Sequence, residues 1–183
     1  MRAPISYVVL AAASIAACQL HVRGRDGVMK LSAEGACADL HLRGDELLML
    51  ERRGCYGSCP EYKVSVSPQG LVKYQGDRHV RVHGRAHWFI PIERAHTLFA
   101  MAACARPETW RSYAGSGASD LPSAILAVDV GGRRVVIGDY DPCSPDDSTR
   151  PPEVCALEET IDALAETRDL VVCPESAHGC VEP

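Results

Sequence analysis

Polar and apolar residues alternate strictly from residue 62 to residue 67, a period of two that predicts a strand with one buried face. The turn formers Pro68, Gln69 and Gly70 follow, and residues 71–76 have the pattern of a return strand. The chain is therefore expected to form a β-hairpin over residues 62–76.

Further strands are predicted where short apolar runs or a second alternation occur. These segments are residues 45–53, 79–88, 123–130 and 133–138. The last two are joined by Gly131-Gly132, a pair typical of a tight hairpin turn. The alternation over residues 79–88 places polar residues at the odd positions.

Two segments have apolar residues at helical spacing. The first helix is predicted from Pro91 to about Cys104, and the second from Pro151 to about Glu166, each with a proline in its first turn. Strands joined by hairpins favour an antiparallel sheet. The sequence thus predicts an α+β domain, mainly an antiparallel sheet built from hairpins with two helices packed on one face. Loops are expected at residues 106–120 and 139–150.

The amino terminus has the pattern of a secretory signal. Arg2 precedes an apolar run from Ile5 to Ala17, which is shorter than the ~20 residues needed to span a bilayer. The run ends at Ile15-Ala16-Ala17-Cys18, which resembles the lipobox of bacterial lipoproteins. We therefore expect residues 1–17 to be removed and Cys18 to be acylated. The alternative is an ordinary cleaved signal with an incidental cysteine.

Acylation of Cys18 would anchor the protein in a membrane, since each buried methylene contributes ~0.8 kcal/mol. Lipoproteins kept in the inner membrane often have Asp after the lipidated cysteine. Gln19 stands there instead, so the outer membrane of a bacterial envelope is expected. Residues 18–44 are interpreted as a lipid-anchored tether, 45–170 as the domain and 171–183 as a cysteine-containing tail.

Nine cysteines suit an oxidising compartment, and the formal net charge of −5 argues against a nucleic-acid partner. Removal of Cys18 leaves eight cysteines, which permit 105 pairings. Sequence proximity suggests Cys143 with Cys155 and Cys173 with Cys180, leaving Cys37 for Cys104. The domain is therefore expected to be stapled by disulfides.

Cys55 and Cys59 bracket a three-residue turn, and three chemistries are open to them: a structural disulfide, a redox pair or a shared metal. A disulfide requires the chain to fold back, because four steps along a strand cover about 13 Å. Gly57 permits the turn. No helix begins after Cys59 to lower a thiol pKa, so a structural disulfide is the preferred interpretation.

The segment Gly54-Cys55-Tyr56-Gly57-Ser58-Cys59-Pro60-Glu61-Tyr62, followed by Val64-Ser65-Val66 and by residues 70–76, resembles the opening of the DUF6438 family. The resemblance extends over roughly residues 46–166. It implies no established activity, ligand or catalytic residue, since the function of that family is unknown.

A row of cationic and titratable side chains occupies the predicted strand 79–88: His79, Arg81, His83, Arg85 and His87. Successive histidines on a strand are ~13 Å apart, too far to share one zinc ion. The row would become more cationic as the pH falls. It is either a solvated outer face of the sheet or a face for an anionic partner.

Two other candidate sites, a calcium site and a serine nucleophile, are not supported by the sequence. Four aspartates, Asp139, Asp141, Asp146 and Asp147, lack the spacing and central glycine of an EF-hand loop. Asp120 and Ser123 lack the context of a serine nucleophile and are interpreted as a turn. No catalytic residue, metal site or cofactor is predicted.

The function expected from the sequence is that of a lipid-anchored envelope protein, a non-catalytic binding or structural module whose partner is an envelope protein or an anionic ligand. The alternative is an envelope thiol–disulfide or metal-dependent enzyme that uses Cys55 and Cys59.

Overall fold

A computed structural model describes residues 19–24, 27–32, 42–110, 122–140 and 152–171 of the chain. Its strands are β1 (Gln19–Gly24), β2 (Gly27–Ser32), β3 (Leu47–Arg53), β4 (Tyr62–Val66), β5 (Leu71–Gly76), β6 (Gly84–Phe89), β7 (Ser123–Val130) and β8 (Arg133–Tyr140). Its helices are α1 (Ile92–Cys104), α2 (Pro152–Leu164) and the short α3 (Arg168–Val171), with a 3-10 turn at Pro107–Thr109.

Strands β3 to β8 form one six-stranded sheet in the order β6-β5-β4-β3-β7-β8, and each neighbouring pair is antiparallel. Successive strands joined by hairpins account for every pairing except that of β3 with β7, which brings the two hairpin groups together. The predicted α+β fold with an antiparallel sheet is confirmed.

The core lies between the sheet and the helices. Alternate residues of the central strands, among them Leu48, Leu50, Val64 and Val66, are fully buried. They belong to one cluster with the apolar sides of the helices, including Leu98 and Phe99 of α1 and Leu157 and Ile161 of α2. Because side chains alternate across a strand, the intervening residues lie on the opposite side of the sheet, which we call the outer face.

Strand β6 differs from its prediction. The sequence alternates from His79, but the strand begins only at Gly84, and His79 has a positive φ of 53°. Val80 is buried and Val82 packs against the core, while the Val82 amide donates to the Leu170 carbonyl (3.0 Å). The alternation over residues 79–83 thus reflects two inward-facing valines in an irregular segment.

The stretch predicted to be a tether contains the antiparallel hairpin β1–β2, in which Gln19 pairs with Ser32 and Gly24 with Gly27. The carboxyl-terminal tail from residue 172 lies outside the described residues. Within the described part of the chain, no helix is long and apolar enough to cross a membrane.

Candidate functional site

The cysteine loop, residues 54–61, connects β3 to β4 and is closed by a disulfide. The Cα atoms of Cys55 and Cys59 are 5.6 Å apart, within the range that a disulfide requires. Gly57 has a φ of 149°, a conformation that side chains rarely adopt, and its amide donates to the Cys55 carbonyl (2.9 Å). The chain folds back at this glycine, as the sequence predicted.

The base of the cysteine loop is held by the segment after β5. The Glu61 amide donates to the Arg78 carbonyl, and the Asp77 amide donates to the Glu61 carbonyl, both at 2.8 Å. The side chains of Arg78 and Glu61 form an ion pair at 2.8 Å. At the tip, Tyr56 is 92% exposed and packs little surface against the domain. The loop is thus held at its base by two backbone hydrogen bonds and an ion pair, and its disulfide is partly exposed.

Two further cysteines, Cys104 at the end of α1 and Cys155 on α2, are also disulfide-bonded. Their predicted partners, Cys37 and Cys143, lie outside the described residues, as do Cys173 and Cys180. Those three pairings stay predictions, and so does the acylation of Cys18.

A largely buried charged cluster lies beneath the cysteine loop and was not anticipated from the sequence. Arg52 donates from one guanidinium nitrogen to Glu158 (2.5 Å) and from another to Asp162 (3.1 Å), both on α2. The Tyr62 hydroxyl donates to the other carboxylate oxygen of Asp162 (2.7 Å), and that oxygen also accepts from the Thr167 hydroxyl (3.0 Å). The cluster therefore ties β3 and β4 to the second helix.

Charge and burial shift the pKa values of this cluster. Burial disfavours the charged form of Arg52, but the carboxylates of Glu158 and Asp162 outweigh it and raise the arginine's pKa. Burial and the Asp162 carboxylate together raise the pKa of Tyr62, although Arg52 opposes them. Arg52 is thus a fixed cation and Tyr62 a neutral hydrogen-bond donor, which suits a structural tie between sheet and helix.

The outer face of β4, β5 and β6 presents polar and cationic side chains. The cross-strand register places Lys63, Gln75 and Arg85 in one row and Ser65, Lys73 and His87 in the next. These six side chains, which we call the donor grid, all line an open groove with a volume of about 530 Å³. Each of the six has a group that can donate a hydrogen bond.

Among the described residues, the Glu51 carboxylate adjoins the donor grid. Glu51 on β3 pairs with Lys63 at 2.7 Å and with Arg53 at 2.9 Å. Burial opposes ionisation of Glu51, but the hydrogen bonds and charges of Lys63 and Arg53 outweigh burial and lower its pKa. The positive charge of Lys63 is thereby partly balanced by the Glu51 carboxylate. Within the described residues, no ion pair joins Lys73 or Arg85 to a carboxylate.

The predicted row of five cationic and titratable residues is divided by the structure. Arg85 and His87 lie on β6 and face the groove, as members of the donor grid. Arg81 donates to the Asp169 carbonyl (3.3 Å) and His83 donates from Nδ1 to the Asp77 carbonyl (2.8 Å). With His79, they lie in the segment before β6. A single face that presents all five, as expected from the alternation, is therefore not formed.

Lys63 and Lys73 are the cationic members of the donor grid that were not candidates from the sequence. Both occupy outward positions of the predicted hairpin 62–76, so the alternation already gave their face. Their position beside Arg85 and His87 depends on the pairing of β5 with β6. Among the described residues, no group of three or more His, Cys, Asp or Glu side chains is placed to hold a metal ion.

Comparison with known families agrees with the motif of the cysteine loop. Residues 46–165, more than half of the chain, match the model of DUF6438, a domain of unknown function. The chain belongs to this family. No curated protein matches the sequence.

Proposed function

We propose that this protein is a lipid-anchored, non-catalytic binding module of the bacterial cell envelope, and that its outer sheet face is the binding surface. The observation that carries the proposal is the donor grid, where Lys73 and Arg85, two cations without a carboxylate partner in the described chain, line an open groove. Helices cover the opposite face of the sheet, so ligands reach the sheet from the outer side.

The cysteine loop supports this assignment by its role in the scaffold. Its disulfide closes the β3–β4 connection directly beside the Arg52–Tyr62 strand pair. A disulfide that constrains a short connection stabilises the fold mainly by restricting the unfolded chain. The loop accordingly has a structural task that needs no redox cycle.

The anchor is proposed from the signal pattern that ends at Cys18. Wild-type protein should incorporate radiolabelled palmitate in a bacterial host and should sediment with the outer membrane in a density gradient. Cys18→Ala should abolish labelling and release the protein from membranes. Gln19→Asp is the matched variant: it should keep the label and move the protein to the inner membrane. Equal membrane association of wild type and Cys18→Ala would refute the anchor.

A further inference from the structure

We infer that the donor grid is a binding site for a phosphomonoester group. This inference deepens the proposed function, and rests on it, by naming the ligand class of the outer face. It rests on the arrangement of charges in the groove, the dimensions of the grid and the side chains that adjoin it.

The charges of the donor grid repel one another. Lys73 lies directly opposite His87 on the neighbouring strand and diagonally from Arg85. The like charges of Lys73 and Arg85, diagonal neighbours on one face of the sheet, repel each other. The whole chain has a formal net charge of −5, so this group of cations is opposite in sign to the net charge of the protein. A bound anion would remove the repulsion, and this is the physical reason to assign a ligand to the groove.

The dimensions of the donor grid suit one compact anion. Neighbouring strands lie ~4.8 Å apart and same-face residues on a strand ~6.8 Å apart, so three strands and two rows span roughly 10 Å by 7 Å. Long side chains from both rows, Lys63 and Arg85 in one and Lys73 and His87 in the other, can converge above the grid. Gln75 and Ser65 supply neutral donors between and beside them.

The number of uncompensated cations favours a multiply charged ligand. Lys73 and Arg85 have no carboxylate partner among the described residues, whereas Lys63 already pairs with Glu51. A phosphomonoester carries about −1.5 to −2 near neutral pH and has three acceptor oxygens, so one group can satisfy both cations. A guanidinium can bind two of those oxygens at once. A single carboxylate would leave one cation unmatched.

The next row of the outer face indicates what the phosphate is attached to. Leu71 and Phe89 pair across β5 and β6 beside the row of Lys73 and His87. Phe89 is 71% exposed, an apolar surface next to the cations. The substituent of the phosphate can therefore contact an apolar surface. A soluble phosphate ester and the headgroup of an anionic lipid share this chemistry, and experiment separates them.

The test is a calorimetric titration of the full-length mature lipoprotein in non-ionic detergent. The soluble probe is glycerol 3-phosphate, with glycerol as its blank. The lipid probe is phosphatidic acid in the same micelles, with phosphatidylcholine as its blank. We expect saturable binding with a Kd below about 1 mM. Tighter binding of phosphatidic acid by tenfold or more would assign the site to a lipid headgroup, and equal affinities would assign it to a soluble ester.

Variants locate the binding. Lys73→Gln and Arg85→Gln each remove a charged donor and should weaken binding about tenfold or more. Arg134→Gln is the matched control, because Arg134 is an exposed cation on the same face at the far edge strand β8. It should change the Kd by less than about twofold. Thermal unfolding of each variant checks that these exposed substitutions leave the fold intact.

Two results would overturn the inference. One is the lack of saturable binding by either phosphate probe. The other is an equal loss of affinity in Arg134→Gln and Arg85→Gln, which would show a general charge effect. Neither result bears on the proposed anchor, which palmitate labelling tests, or on the binding of other ligands to the outer face. Failure of the phosphomonoester site is therefore distinguishable from failure of the proposed function.

Discussion

Arg52 and Tyr62 face each other across β3 and β4, on either side of the cysteine loop, and both hydrogen-bond to the carboxylate of Asp162 on α2. The disulfide between Cys55 and Cys59 closes the connection just beyond this pair. The loop and the charged cluster thus act together: one joins two strands to each other, and the other joins both strands to a helix. This arrangement gives the cysteine loop a structural role.

Removal of the Arg52 side chain should strongly lower the free energy of unfolding. The Arg52 side chain is 17% exposed and that of Glu158 only 1%. Arg52→Ala would leave two carboxylates in or near the core without their guanidinium, and we expect a loss of about 3–5 kcal/mol in the free energy of unfolding, measured by urea denaturation. Arg53→Ala is the matched control, since Arg53 is exposed, and it should cost less than about 0.5 kcal/mol. A loss below about 1 kcal/mol in Arg52→Ala would contradict this account.

The disulfide should make a modest contribution to the free energy of unfolding, because it closes a short loop. Cys55 and Cys59 are separated by four positions, and restriction of so short a loop in the unfolded chain is worth about 2 kcal/mol. Cys55→Ser/Cys59→Ser should lower the free energy of unfolding by about this amount and keep the native circular dichroism spectrum. Thiol titration of the unfolded, unreduced wild type should detect almost no free thiol. Cys55 and Cys59 found reduced, with the other cysteines bonded, would refute the structural disulfide.

Alkaline pH should destabilise the protein through its buried phenols. Burial raises the pKa of Tyr74 to about 12, and burial with the Asp162 carboxylate raises that of Tyr62. Tyrosines of the unfolded chain lose their protons near pH 10. Above that pH the folded state holds more protons than the unfolded state, so the free energy of unfolding falls as the pH rises.

The contribution of Tyr74 should be lost between about pH 10 and pH 12. Tyr74→Phe should therefore flatten the decline of stability over this range, measured by urea denaturation at each pH. The variant also loses the hydrogen bond from Tyr74 to the Val82 carbonyl, which costs about 1 kcal/mol at neutral pH. Tyr56→Phe alters an exposed side chain and should retain the wild-type slope. Identical slopes in Tyr74→Phe and wild type would count against this explanation.

Gly70 and Gly84 offer a matched pair for testing the packing of the β4–β5 turn. Their φ angles are nearly equal, 81° and 82°. A Cβ on Gly70 would collide with the Ile90 carbonyl oxygen, whereas a Cβ on Gly84 would meet no atom within 4 Å. Gly84→Ala should cost about 1 kcal/mol for the strained backbone alone. Gly70→Ala should cost at least about 1 kcal/mol more in urea denaturation, and equal losses would show that the turn is not tightly packed.

Local patterns were sufficient to predict most of the fold. The hairpin over residues 62–76 was predicted because Tyr62, Val64 and Val66 alternate with polar residues and Gly70 marks the turn. Both long helices begin within a residue or so of a proline. The same rule of alternation misled at residues 79–83, because Val80 and Val82 point inward without forming a strand.

The charged cluster could not be predicted from the sequence. Arg52 and Asp162 are 110 positions apart, and their contact depends on how α2 lies against the sheet. Two of the six donor-grid residues, Arg85 and His87, were candidates from the sequence. Lys63 and Lys73 join them only through the order of three strands. The sequence gives each strand its faces, whereas the pairing of strands decides which faces share a groove.

The central claim is that the outer face of the sheet, and not the cysteine loop, is the working surface of this protein. Amide chemical shifts of the ¹⁵N-labelled full-length protein, followed during titration with glycerol 3-phosphate, test the claim most directly. The account predicts shifts that saturate at Lys73, Gln75, Arg85 and His87, with the amides of residues 54–59 unchanged. Saturable shifts centred on residues 54–59, with the donor grid unaffected, would contradict it.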